Sequence, residues 1–266
     1  TMKTNFKILL NLFLLLAIGV SGLAQKNDFS LVKDRVVAEL MKSKVDDSEV
    51  KSILSEMKKD GSFKGINYLD LSRTAGFPQR RHTAALLTLA KAYNSKSSEF
   101  YQQKSIKQAI EQGLKFWIEN DFFGDNWHNN QISTPTNLVN LMLIIGDELP
   151  KDLVEGAQPM IGRAHMKASG ARPSGDRIVI AGILAKNLLF IDDEKQFEEI
   201  IRLIEGEVKF STGSRGMQQD FSFHHRTDRV NNTTSYGYTK YANAFGEWSS
   251  YVAKTKYAFS LEKINH

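Results

Sequence analysis

The sequence predicts an all-α fold built from antiparallel helical hairpins, on three observations. Apolar residues recur at helical spacing along nearly the whole chain beyond residue 25. The periodic segments are separated by short breaks such as Asp46-Asp47-Ser48, Leu149-Pro150 and Asp192-Asp193. Long alternating runs that would build a β-sandwich are absent, and only Val208-Lys209-Phe210 and Phe221-Ser222-Phe223 read as short extended pieces. Such hairpins can form a bundle, a superhelix, or a closed or partly closed ring. No strict motif recurs, which argues against a tetratricopeptide-like array.

In chain order, Met2 to Gln25 reads as an export signal. Lys3 and Lys7 precede an apolar run from Ile8 to Ile18, and Ser21-Gly22-Leu23-Ala24 supplies small residues before a cut at Ala24/Gln25. The run is too short for the ~20 residues that span a bilayer, so residues 1–24 are expected to be removed rather than to remain in a membrane. Residues 25–266 form the mature domain, and the expected location is secreted or periplasmic. Phe29 to Met57 carries two helices, with a cap near Asp46. His82–Tyr93 and Tyr101–Trp117 follow. Thr136–Ile145 starts after Pro135, a residue suited to a first turn. Leu153–Met166, Arg177–Phe190, Glu194–Val208 and a long Thr239–Ser260 complete the series.

Cysteine is absent, which excludes disulfides, thiolate metal sites and lipidation on cysteine. The net charge of +5 is modest and interspersed with acidic residues. A phosphate-binding surface needs clustered lysine and arginine. No long basic run and no finger spacing occur, so a nucleic-acid partner is not expected. A basic protein sent outside the cytoplasm suits an acidic polysaccharide better.

Two clusters carry the candidate chemistry. One is Asp125-Asn126-Trp127-His128-Asn129-Asn130-Gln131, where an indole can cover the apolar face of a sugar while Asn126, His128 and Asn130 bind its polar groups. The same tryptophan could equally fill a helix-pair core with amides at a cap. The other cluster runs from Gly216 through His224-His225-Arg226 to Tyr236-Gly237. Tyr236 can be a structural aromatic, or it can transfer a proton beside cations such as Arg226 and Arg229. His224 and His225 are adjacent on an extended segment, so they face opposite ways and one enters a cleft. Histidine suits proton transfer or substrate clamping near neutral pH. No His-Glu-x-x-His spacing is present, and neither metal nor cofactor is expected.

The segment Asn126-Trp127-His128-Asn129-Asn130-Gln131-Ile132-Ser133-Thr134-Pro135 resembles the Asn-Trp-Trp-x-x-Glu-Ile-Gly-x-Pro segment of polysaccharide lyase family 8. Ser169-Gly170-Ala171-Arg172 resembles that family's Thr-Gly-Ala-Asn, and Gly216 to Gly237 resembles the segment bearing its catalytic histidine and tyrosine. The resemblance spans most of residues 60–260. It implies an incomplete α/α toroid, continued in the family by β domains, so the chain is expected to represent an N-terminal part of a longer enzyme. It also implies β-elimination on a uronate-containing polysaccharide, with noncatalytic glycan binding as the alternative. By resemblance Tyr236, His225 and Arg172 are catalytic. Asn126, Trp127, His128, Asn130, His224 and Arg226 bind substrate, and the working unit is a monomer. Three departures from the family pattern stand out: Arg226 occupies the usual histidine position, Arg172 replaces an asparagine, and His128 replaces a tryptophan.

Overall fold

The computed structural model describes residues 27–173, 175–227 and 231–265, so the expected export signal lies outside the described residues. The helices are α1 (Asp28–Leu40), α2 (Asp47–Glu56), α3 (Arg80–Asn94), α4 (Lys104–Asn120), α5 (Thr134–Ile145), α6 (Lys151–Ile161), α7 (Gly175–Phe190), α8 (Glu194–Gly206), α9 (Asn243–Val252) and α10 (Leu261–Asn265). A short antiparallel pair, β1 (Gly216–Met217) and β2 (Phe223–His224), interrupts them. Helix starts follow sequence signals: Asn27 accepts the Ser30 N–H at 2.8 Å, Asp46 accepts that of Ser48 at 2.9 Å, and Pro135 sits in the first turn of α5.

The helices form two layers. Alternate helices α3, α5 and α7 pack side by side in one layer, while α4, α6 and α8 pair back onto them from the other. This is the arrangement of an α/α toroid left open, as expected. Burial follows position: α5 and α7 are apolar nearly all round because both flanks and one face meet other helices. In contrast α8 buries one stripe, Phe197, Ile201 and Ile204. Helix α7 joins two cores. Ile180 and Ile183 belong to the core shared with α3–α6, while Ile178, Ala181, Ala185 and Leu188 pack with α1, α8 and α9. Gly182 makes room on α7 for the Trp248 indole, which a Cβ there would overlap.

A buried histidine organises the α3–α4 side. His82 Nδ1 lies 2.9 Å from the Tyr68 hydroxyl, and Nε2 lies 2.9 Å from the Gly113 carbonyl oxygen. Since Gly113 offers only an acceptor, Nε2 carries the proton and Nδ1 accepts from Tyr68. Burial pushes the imidazole down to about 4 against the opposing Gly113 bond.

Three expectations are corrected. The expected Leu153–Met166 helix stops at Ile161. Val208-Lys209-Phe210 forms no strand beyond a single bridge between Phe210 and Met217. The long helix expected over Thr239–Ser260 is instead a π-helical segment, Thr233–Ala242, running into α9, which ends at Val252. Apolar spacing cannot distinguish a 3.6-residue turn from a wider one over so short a stretch.

Candidate active site

One wall of the candidate site is built around a clamped loop. Asn130 is buried, and its amide accepts the Gly124 N–H at 3.0 Å and donates to the Gly124 carbonyl at 2.7 Å. This pins the loop ahead of a π-helical turn, Asn129–Ser133, that leads into α5. Trp127 then lies half-buried over Gly170, which has no room for a Cβ beneath the indole. Gln131 ties the same two segments, donating to Ser169 Oγ at 2.9 Å and accepting the Gly170 N–H at 2.8 Å. His128 stands edge-on to Trp127, with its Nδ1 3.3 Å from Ser133 Oγ. Its basicity is depressed, first by burial and then by Lys240, with Asp176 opposing.

The facing wall is the hairpin docked on the second π-helical segment. Asp220 closes the turn by accepting the Ser222 N–H at 3.0 Å and its hydroxyl at 2.7 Å. Phe223 is buried against Tyr241, and its N–H donates to Thr233 Oγ1 at 2.9 Å. Gly237 permits the contact, because a Cβ there would overlap the Phe223 side chain. This docking lays the His225 ring flat on Tyr236, with centroids 3.7 Å apart and planes within 12°. At the head of α7, Gly175 lets the chain approach the Tyr236 carbonyl and the Lys240 stem. Asp176, next in sequence and buried, meets Lys240 Nζ at 2.7 Å and His225 Nε2 at 3.5 Å. The His225 carbonyl accepts from Arg215 at 3.2 Å.

Between these walls lies a cleft of about 430 Å³. It gathers Asn126, Trp127, His128, Arg172, His225, Arg226 and Tyr236, all anticipated from sequence. Two anticipated residues do not line it. The amide of Asn130 is consumed by Gly124, so its role is to hold the loop. His224 points away on β2, 3.3 Å from Ser222 Oγ, because neighbouring side chains on a strand alternate. Arg73, Asp176, Arg215 and Lys240 also line the cleft and were missed. Arg73 and Arg215 sit in loops with no local pattern. Asp176 and Lys240 are distant in sequence, and only Gly175-Asp176 at a helix start carried any signal.

The lining is electropositive. Arg73, Arg172, Arg215, Arg226 and Lys240 surround Asp176, which is the only carboxylate among the described lining residues. Burial, followed by Lys240, Arg215 and Arg226, depresses His225 basicity more than Asp176 raises it. The neutral imidazole is therefore favoured near pH 7. Among the described residues no group of three His, Asp or Glu side chains is placed to hold a metal ion. An indole face, several cations and a stacked imidazole–phenol pair in one cleft have the chemistry to bind an anionic sugar and to move a proton.

The chain belongs to polysaccharide lyase family 8, whose N-terminal alpha-helical domain matches residues 27–266. Chondroitinase-AC from Pedobacter heparinus is 26% identical over 265 residues, covering 99% of this chain and 37% of that protein. A solved chondroitinase AC lyase, determined with oligosaccharide complexes, superposes with a TM-score of 0.81 at 25% identity, over 90% of this chain and 35% of that one. The Paenibacillus xanthan lyase gives a TM-score of 0.71 at 16% identity, over 89% of this chain and 24% of that one, and shares the fold alone. The chain thus spans less than two fifths of the length of these relatives.

Proposed function

We propose that this cleft carries out β-elimination on a uronate-containing acidic polysaccharide, outside the cytoplasm, as part of glycosaminoglycan degradation. The observation that carries the reading is the His225–Tyr236 stack, set between the Trp127 platform and a ring of arginines. In this mechanism a sugar ring lies against Trp127 and its carboxylate meets Arg172, whose forked donors suit a carboxylate. Neutralising that carboxylate lowers the cost of removing the adjacent C5 proton. The Tyr236 oxygen takes the proton, and the C5–H electron pair becomes the C4–C5 double bond. The C4–O bond breaks, and the leaving oxygen takes up a proton, also delivered by Tyr236. His225 polarises and places the uronate.

A second reading, acidic-glycan binding without turnover, is favoured by one feature. His225 Nδ1 is buried, and Nε2 lies 3.5 Å from the Asp176 carboxylate, which competes with a substrate for that nitrogen. Incubating the mature chain with uronate-containing glycans, and following ultraviolet absorbance of unsaturated ends beside direct binding, tests both. Unsaturated ends support elimination. Binding without them, also in any form extended beyond His266, supports the second reading. Neither binding nor product overturns both.

A further inference from the structure

We propose that Asp176 is the positioning residue of this cleft: its carboxylate holds His225 in the Nε2–H tautomer and anchors Lys240 over the face of Tyr236. This role rests on the reading of the cleft as an elimination site, because it acts through the His225–Tyr236 pair.

The geometry brings the head of α7 against two segments remote from it in sequence, the one at His225 and the π-helical one that carries Tyr236 and Lys240. Asp176 stands in the first turn of α7, where the helix N-terminus favours negative charge, and its side chain is only 4% exposed. One oxygen, Oδ1, is 2.7 Å from Lys240 Nζ, and the other, Oδ2, is 3.5 Å from His225 Nε2. Each oxygen thus addresses a different partner. Lys240 Nζ in turn sits 5.0 Å from the centroid of the Tyr236 ring, whose other neighbour is the stacked imidazole. A carboxylate oxygen is an acceptor, so a neutral His225 turns its Nε2–H toward Asp176 and leaves Nδ1 unprotonated. Nδ1 is buried with no hydrogen-bond partner among the described residues, which is consistent with a lone pair there rather than a second N–H. The same carboxylate therefore sets which nitrogen carries the proton and where the lysine charge lies. The Gly175 contact with the Tyr236 carbonyl and the Lys240 stem keeps α7 close enough for both.

The groups that bear on His225 act with opposite signs. Burial is the leading cause of its depressed basicity; Asp176 raises it, while Lys240, Arg215 and Arg226 lower it. Two substitutions at one ion pair should therefore move His225 in opposite directions, which loss of packing would not do. The experiment is NMR of the mature chain with isotopically labelled histidine, with His225 assigned by its absence in His225→Gln. In the unsubstituted protein the ring nitrogens should report the Nε2–H tautomer near neutral pH. In Asp176→Asn the His225 midpoint should fall and the tautomers should mix. In Lys240→Gln the midpoint should rise, with the Nε2–H tautomer kept. An Nδ1–H tautomer in the unsubstituted protein would overturn the role, as would shifts of the same sign or no shift. If Asp176→Asn does not fold, Lys240→Gln decides: a rise supports the role, and a fall or no change ends it. No glycan is used, so failure here is distinguishable from failure of the elimination reading, which the unsaturated-product assay decides.

Discussion

Trp127 rests directly on Gly170, so closely that a methyl group at position 170 would overlap the six-membered ring of the indole. The platform is thus set by a glycine from a different segment of the chain. Gly170→Ala should tilt the indole, change its fluorescence and weaken glycan binding. Overpacking of this kind costs typically 1–3 kcal/mol, so the denaturation midpoint should also drop. Unchanged fluorescence with full glycan affinity would show that the platform does not depend on this contact.

Tyr236→Phe keeps the ring that stacks on His225 and removes the oxygen proposed to move protons. In the catalytically competent polypeptide kcat should fall by about 10²-fold or more, with KM little changed. Steady-state formation of unsaturated ends provides the measurement. Wild-type turnover by the variant would remove Tyr236 from the chemistry.

Arg73 and Arg215 line the cleft without any sequence motif to announce them. Substituting both by alanine should weaken retention on an acidic glycan, each by about 0.2–1 kcal/mol at low salt. The difference from wild type should shrink as salt rises, because screening reaches ~3 Å at 1 M. Affinity titrations at several ionic strengths would reveal the convergence, and a salt-independent difference would contradict it.

Acid sensitivity should trace to His82. Its folded value is about 4 against an ordinary 6.5, so between these values the unfolded chain binds more protons and stability rises with pH. The contribution is complete above the unfolded value and is lost as pH falls through that window, by on the order of 3 kcal/mol. Denaturant midpoints from pH 4 to 7 should show this slope, and His82→Gln should flatten it. An equal slope in the variant would assign the effect elsewhere.

Asn130→Ala should lower stability by about 1–3 kcal/mol, since the Gly124 N–H and carbonyl lose their partners. Glycan affinity per folded molecule should change less than in Gly170→Ala. A loss of affinity with no loss of stability would return Asn130 to the list of ligand contacts.

The sequence by itself determined the helical class, most helix positions and the family. Amphipathic spacing records which face of a segment must leave water, and residues such as Asp46 and Pro135 mark where a helix begins. Seven of the nine anticipated site residues also line one cleft, because six of them stand in two short clusters of indole, imidazole, guanidinium, amide and phenol groups, joined by Arg172 from a third segment. Only the tertiary structure decided how those groups are used. Asn130 and Trp127 lie in the same cluster, yet one clamps a backbone loop and the other faces the cleft. His225 rather than His224 reaches Tyr236 because β2 docks through Phe223 onto Gly237, which fixes the alternation of the strand. Asp176 and Lys240 carry no mark of their pairing, since a short-range ion pair depends on the approach of α7 to the second π-helical segment and not on any local pattern.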